Sequence, residues 1–327
     1  VKMTKQYPAL FSLSLENIKQ KIDDFVSLGY SYDDVIKMTK QLPSLFGLSI
    51  ENIKQKIDDL ISLGYSYDDI IKKAKNFPSL YSYSIETIKQ KIDDLISLGY
   101  SREDVIKMIR KNITLLGYNI ETIKQKIDDL ISLGYSYDDA IRINKKNASL
   151  FGYSTETIEE KIDDLISLGY SREDVIKITK IFPAIYNYNK ENIVKKIDDL
   201  ISLGYSRNDV IKMTRTLPTL FGLSIENIKQ KIDDLISLGY SYDDVIKMTK
   251  QLPALFGYEM ENIKQKIDYL ISLGHSKSNV IKMTKTIPSL FSLSIETIQQ
   301  KINDLISLGY SRDDVIKMTN VSPALYN

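Results

Sequence analysis

Apolar residues return along the chain in two alternating helical runs. In the stretch SIENIKQKIDDLISLGYSYDDIIKKAKNFPSLYSY, from Ser49 to Tyr83, Ile50, Ile53, Ile57, Leu60, Ile61 and Leu63 recur at helical spacing and predict one broad apolar stripe. Ser49 followed by Glu51 reads as an N-cap with an acid in the first turn, where the helix dipole favours negative charge. Gly64 predicts the stop, because the residue after a C-cap commonly needs positive φ. Ser66 with Asp69 three residues on is a second capping signal, opening a shorter helix through Ile70, Ile71, Ala74 and Phe77. Pro78 ends that helix, and PSLYSY leaves room for about one tight helical turn before the next cap.

The same pattern repeats without slips. The eight prolines, at 8, 43, 78, 183, 218, 253, 288 and 323, are separated by 35 residues or a multiple of 35, with Ile113 and Ala148 at the two vacant lattice points. The glycine of the LG pair recurs at the same interval from Gly29 to Gly309. A fixed period of this length signals units that bury their apolar faces against one another. The expected fold is therefore an all-α solenoid, a superhelix of about nine 35-residue repeats, each with two α-helices and a short 3₁₀ turn, forming a single array over residues 1–327. The phenylalanines and tyrosines of the PSLF and PSLY turns are expected in the core. Val1 aligns with Ile36 inside a second helix, and Asn327 follows a PALY turn. Neither end carries a polar capping repeat, which predicts an excerpt of a longer protein or an engineered array.

Composition narrows the chemistry. The 44 Lys and Arg residues nearly balance 43 Asp and Glu, for a net charge of +1, so a basic surface must come from segregating charges. The absence of cysteine excludes disulfides, thiolate catalysis and thiolate metal sites, and one histidine, His275, is too few for a His-based metal cluster. His275 replaces the tyrosine that follows LG and reads as a local variant. No apolar run approaches the roughly 20 residues needed to span a bilayer. Carboxylate pairs recur in nearly every unit, whereas a catalytic pair should be singular and set in a cleft. No nucleophile elbow, phosphate-binding glycine loop or metal-ligand spacing occurs. The expectation is a protein that is not an enzyme, with no metal, cofactor, small-molecule substrate or membrane partner.

The PSLF-type turn, the KIDDLISLGYS centre and the following DVIKM resemble the repeat of the mitochondrial transcription termination factor (mTERF) family, over the whole chain. The tetratricopeptide pattern expects a tryptophan that this chain lacks, and an ankyrin TPLH turn is absent. The resemblance implies a superhelical stack of two α-helices and a short 3₁₀ helix per repeat. It also implies nucleic acid, often double-stranded DNA, on a basic concave surface, and a role in organellar transcription, translation or RNA processing. Two features depart from the family: the repeats are unusually alike, and the net charge is near zero.

Comparison of the units isolates three columns. One second-helix position is always basic: Lys37, Lys72, Lys107, Arg142, Lys177, Lys212, Lys247, Lys282 and Lys317. Three residues on, a second column reads Lys40, Lys75, Arg110, Lys145, Lys180, Arg215, Lys250 and Lys285, broken at Asn320. Both lie opposite the apolar stripe formed by residues such as Val35, Met38 and Leu42, and side-by-side stacking would join them into a basic stripe for phosphates. The rival reading is a solvated face, with lysines complementing the helix dipole and pairing with Asp33 and Asp34. The acidic pair Asp23 and Asp24, repeated in the first helix, is expected on a solvated outer face. The third column, Tyr32, Tyr67, Arg102, Tyr137, Arg172, Arg207, Tyr242, Lys277 and Arg312, admits only aromatic and cationic residues. Such residues stack on bases or fork onto guanine and phosphate, so a base-reading position is one reading. Copying of SYDD and SRED cassettes is the other.

The expected function is nucleic-acid binding, double-stranded DNA ahead of RNA, by a monomer acting in transcription or gene-expression regulation. The alternative is a protein-interaction scaffold that takes a peptide or helix in its groove. The resemblance implies a mitochondrion or plastid. The residues themselves are equally compatible with a bacterial cytoplasm or delivery into a host cell.

Overall fold

The computed structural model describes residues 13–326, which are 79% helical, with 18 α-helices and no strand among them. Pro8, the first point of the proline lattice, and both chain ends lie outside the described residues. The chain divides into two compact units, Val1–Glu159 and Glu160–Asn327. In the first unit the helices are α1 (Leu15–Ser27), α2 (Tyr32–Gln41), α3 (Ile50–Ser62), α4 (Tyr67–Ala74), α5 (Ile85–Ser97), α6 (Arg102–Lys111), α7 (Ile120–Ser132) and α8 (Tyr137–Lys146). Helix α9 (Thr155–Ser167) carries the division. The second unit continues with α10 (Arg172–Ile181), α11 (Lys190–Ser202), α12 (Arg207–Thr216), α13 (Ile225–Ser237), α14 (Tyr242–Gln251), α15 (Met260–Ser272), α16 (Lys277–Thr286), α17 (Ile295–Ser307) and α18 (Arg312–Val321). A 3₁₀ turn follows every even-numbered helix, as in Pro43–Gly47 and Pro218–Gly222. This is the all-α repeat solenoid that the 35-residue period predicts.

Local signals set the boundaries. Ser49 Oγ accepts from the Asn52 amide at 3.1 Å, and Ser66 Oγ accepts from the Asp69 amide at 3.2 Å, so both predicted caps form. At the end of α3, Gly64 adopts φ +94°; its N–H donates to Ile61 O at 2.8 Å, and Tyr65 N–H donates to Leu60 O at 3.2 Å. Those two bonds satisfy carbonyls that the helix end leaves open, and glycine takes the left-handed conformation of residue 64 without the backbone strain that a Cβ brings at positive φ. The proline of the turn is dispensable for its shape. Ile113–Gly117 and Ala148–Gly152 close the same 3₁₀ turn, with Leu115 N–H donating to Asn112 O and Leu150 N–H to Asn147 O.

Each repeat buries one face of both helices and the turn. In the repeat from α3, the buried residues are Ile53, Ile57 and Leu60, then Ile70, Ile71 and Ala74, then Pro78, Leu80 and Tyr81. Removing a side chain such as Ile57 from water is worth about 1.5–3 kcal/mol. Ile61, expected in this stripe, is instead 42% exposed: it sits at the margin of the apolar face, where no neighbouring element covers it. Helix α4 ends at Ala74, earlier than Phe77, although Phe77 N–H still donates to Lys73 O at 2.9 Å. The turn aromatics Phe46, Tyr81, Phe151, Phe221 and Phe291 are buried, as expected.

Polar contacts inside the core join successive repeats. The hydroxyls of Tyr170, Tyr205 and Tyr240 lie 2.6 Å from Oγ1 of Thr214, Thr249 and Thr284, one repeat on. Where Ala74 replaces the threonine, Tyr30 instead meets the Tyr81 hydroxyl at 2.6 Å. His275 occupies the tyrosine position and is 3% exposed, with Nδ1 2.8 Å from Asn320 Oδ1 and Nε2 2.8 Å from the Tyr326 hydroxyl. Asn320 Oδ1 can only accept, so Nδ1 carries the proton and Nε2 of the neutral ring accepts from Tyr326. Among the described residues, no helix is long and apolar enough to cross a membrane.

Candidate nucleic-acid interface

The three columns of the second helices meet different surroundings. All nine members of the first column, from Lys37 to Lys317, are exposed. Some lean on an acid one turn back: Lys107 lies 2.5 Å from Glu103, and Lys177 lies 2.8 Å from Glu173. Arg142 pairs with Asp139 at 2.5 Å, and Lys37 Nζ donates to Asn76 Oδ1 at 3.0 Å. Lys72, Lys212, Lys247, Lys282 and Lys317 make no ion pair among the described residues.

The second column is tied up between repeats. Lys75 pairs with Asp34 at 2.7 Å, Arg110 with Asp69 at 3.1 Å and Lys145 with Asp104 at 2.7 Å in the first unit. Arg215 pairs with Asp174 at 2.9 Å, Lys250 with Asp209 at 2.9 Å and Lys285 with Asp244 at 3.4 Å in the second. In each of these pairs the carboxylate belongs to the first turn of the preceding second helix, beside the N-cap serine. The Lys75 ammonium, followed by Ser31, brings the Asp34 carboxyl down to about 2; Lys250 and Ser206 do the same to Asp209. Asn320 breaks the column for a visible reason. The residue at its partner position is Asn279, so both ends of that rung are neutral together.

Four members of the third column have a structural task. The hydroxyls of Tyr67, Tyr137 and Tyr242 donate to the carbonyls of Leu28, Leu98 and Leu203 at 3.0, 3.1 and 3.0 Å. A guanidinium N–H of Arg207 donates to Leu168 O at 3.2 Å. Each acceptor is the residue that ends the preceding repeat's first helix, whose last carbonyls lack intrahelical donors. A long side chain with a donor at its tip suits that place, and both tyrosine and arginine qualify. Tyr32 is 60% exposed.

A fourth column was not singled out from the sequence, although it is the most regular: Lys21, Lys56, Lys91, Lys126, Lys161, Lys196, Lys231, Lys266 and Lys301 are all lysine. Lys21 and Lys56 donate to Leu48 O and Tyr83 O at 2.6 Å, and Lys161 to Tyr188 O at 2.9 Å, closing the turn of the next repeat. Lys196 does the same for Leu223 O and Lys266 for Phe291 O, and burial lowers the pKa of both. The signal was the invariance itself, at a position beside the buried Ile22 and its equivalents. Of the first-helix acids, Asp23 is exposed and Asp24 accepts from Gln20 Nε2 at 3.0 Å.

The family model described as mTERF matches residues 1–87, 59–132, 88–237 and 227–326, repeat after repeat. The chain belongs to the mTERF family. No curated protein matches it. The mTERF family consists of helical-repeat proteins that generally bind nucleic acid and work in transcription, and is not a family of enzymes. Within this mTERF chain the cations therefore divide by task. The first column faces solvent, while the second and fourth hold the repeats together.

Proposed function

We propose that the protein binds double-stranded DNA through its phosphates, in a transcription-related role, using the first column of second-helix cations. One observation carries this reading: a cation stands exposed at the same position of every second helix, and six of the nine have no carboxylate partner among the described residues. Neighbouring helices pack roughly 8–10 Å apart, so within each unit these cations form a row against which a charged backbone can lie. The contact is electrostatic and releases counterions, which gives affinity without reading sequence. The second column contributes less than its charge suggests, because most of its members already face carboxylates.

Binding of a labelled 30-base-pair duplex across a salt series tests the reading. The expected result is binding at about 50 mM salt that weakens as salt rises, with a logarithmic slope of about −0.9 per phosphate engaged. Absence of binding at that salt, or affinity independent of salt, removes nucleic acid and leaves a protein ligand. Single-stranded RNA as competitor separates the two nucleic acids: displacement of the duplex at equal concentration overturns the preference for DNA.

A further inference from the structure

Two second helices differ from the rest in the residue one turn before the exposed cation. At that position α2, α4, α6, α8, α10, α14 and α18 carry Asp33, Asp68, Glu103, Asp138, Glu173, Asp243 and Asp313, whereas α12 has Asn208 and α16 has Ser278. The acid matters, because where it is glutamate it is seen to hold the cation, as in the Glu103–Lys107 and Glu173–Lys177 pairs. Where it is aspartate no such pair forms among the described residues, and Lys72, Lys247 and Lys317 are as unpaired as Lys212 and Lys282; what Asn208 and Ser278 remove is a negative charge one turn away, not a formed pair. Helix α16 goes further: it contains Lys277, Lys282 and Lys285 and no carboxylate at all.

Not every depression beside a lysine suits a phosphate. The one along α11, about 360 Å³, sets Glu191, Asp198 and Asp199 against Lys190 and Lys195, so its acids oppose an anion. The depression between α10 and α12 is different. It has a volume of about 490 Å³ and is lined by Lys177, Lys212, Arg215, Thr216 and a single carboxylate, Asp174, which is already engaged by Arg215 at 2.9 Å. Thr216 Oγ1 turns back to donate to Lys212 O at 3.0 Å, so its short side chain leaves the cleft open. The lattice-equivalent place between α14 and α16 repeats the chemistry with Lys247, Lys282 and Lys285, and Thr286 Oγ1 likewise donates to Lys282 O at 2.7 Å.

We propose that phosphodiester contact is concentrated at these two places in the second unit, one centred on Lys212 and the other, two repeats on, centred on Lys282. This rests on the nucleic-acid reading and sharpens it. The row of exposed cations is uneven, and the two repeats that have shed an acid carry the largest share of the binding. An incoming phosphate meets two ammonium groups and a guanidinium or third ammonium; at Lys282 no carboxylate stands one turn back, and at Lys212 the one that does, Asp209, is already held by Lys250 at 2.9 Å.

The test removes charge in one pair of variants and restores the missing acids in another. Lys212→Gln with Lys282→Gln is expected to weaken duplex binding at least tenfold at about 50 mM salt and to flatten the salt slope by about 2. Asn208→Asp with Ser278→Asp, which deletes no cation, is expected to weaken binding at least fivefold while leaving thermal stability unchanged or raised, since an acid in the first turn favours the helix. Lys37→Gln with Lys107→Gln, in helices that keep their acids, is expected to lose at least threefold less than the Lys212 and Lys282 pair. Lys229→Gln with Lys264→Gln, on exposed first-helix positions, is expected to change nothing. If the wild type binds duplex with a normal salt slope but the Lys37 and Lys107 pair loses as much as the Lys212 and Lys282 pair, the concentration of contact is overturned and the proposed function stands. Wild-type binding by the Asn208 and Ser278 pair would overturn the concentration of contact in the same way. If the wild type binds no duplex, both are overturned.

Discussion

Breaking one rung between repeats measures how much of the second column's charge is spent on structure. Lys250 Nζ lies 2.9 Å from Asp209 Oδ2, with side chains 32% and 27% exposed. At that distance two unit charges attract by about 1.4 kcal/mol in bulk water and about 6 kcal/mol at an effective dielectric of 20. Solvent screening and the ordering of a long side chain reduce measured couplings of exposed pairs to about 0.2–1 kcal/mol. A pair about one-third exposed, whose carboxylate also accepts from the Ser206 amide at 3.0 Å, belongs at the upper end, about 1 kcal/mol. The experiment is a double-mutant cycle of Asp209→Asn and Lys250→Asn by urea denaturation of the whole chain. Lys250→Asn is expected to cost about 1 kcal/mol, and Asp209→Asn about 1–2 kcal/mol because the N-cap of α12 weakens too. The double variant, which reproduces the Asn279 and Asn320 joint, should be less destabilised than the sum by about 1 kcal/mol, and the difference should shrink at about 0.5 M salt. The Asp209 carboxyl gives an independent reading. Its folded pKa of about 2 lies below the unfolded value, so its contribution is full above about pH 4 and is lost as pH falls through 2. In Lys250→Asn that titration should move up. Singles that add within about 0.3 kcal/mol at low salt would refute the ladder.

Three further outcomes follow from the joints between repeats. Burial pushes the His275 pKa below its ordinary value, so its contribution to stability is full above about pH 6.5 and declines as pH falls below that, by up to about 1.4 kcal/mol per pH unit; His275→Tyr should abolish this slope in thermal melts between pH 5 and 7. The buried Tyr100 hydroxyl and Asn144 side chain face each other without a hydrogen bond of good geometry, where other repeats join tyrosine to threonine; Asn144→Thr should therefore stabilise by about 1 kcal/mol in urea denaturation. Arg207→Ala should cost about 1 kcal/mol by leaving Leu168 O without its donor, whereas Arg207→Tyr should restore it; if this column reads bases as well, exchanging Arg102 and Tyr137 should shift duplex sequence preference in a selection experiment.

The fold was legible because every boundary signal is local. Ser66 and Asp69, Gly64 and the turn at Pro78 each act within a few residues, and the 35-residue lattice repeats them until no other assignment fits. The site was only partly legible, because its decisive contacts span 39 to 41 residues. In the sequence, Lys72 and Lys75 look alike: both are lysines away from the apolar face of one predicted helix. Only the placement of the next repeat beside the last shows that Lys75 reaches back to Asp34 while Lys72 reaches no carboxylate. The tyrosine and arginine exchange illustrates the same limit. A carbonyl 39 residues away is invisible to helical periodicity, yet it is what the tips of Tyr67 and Arg207 have in common. One sequence signal was nonetheless present: Asn279 and Asn320 abandon their charges together, as partners in a pair would.

The near-zero net charge loses its force as an objection to nucleic acid once the pairs are placed. Bulk charge is a sum, and a sum of +1 says nothing of where paired and unpaired cations lie on the surface. In this chain the Asp34, Asp69 and Asp104 carboxylates face Lys75, Arg110 and Lys145, so those acids screen cations that were never free to meet phosphate. Under the proposed function, a polyanion meets the exposed first-column cations of each unit, which have a carboxylate four residues back in seven of nine helices and none there at Lys212 and Lys282. The sign of the field is therefore decided helix by helix, and substitutions at Asn208 and Ser278 change it without changing a single lysine.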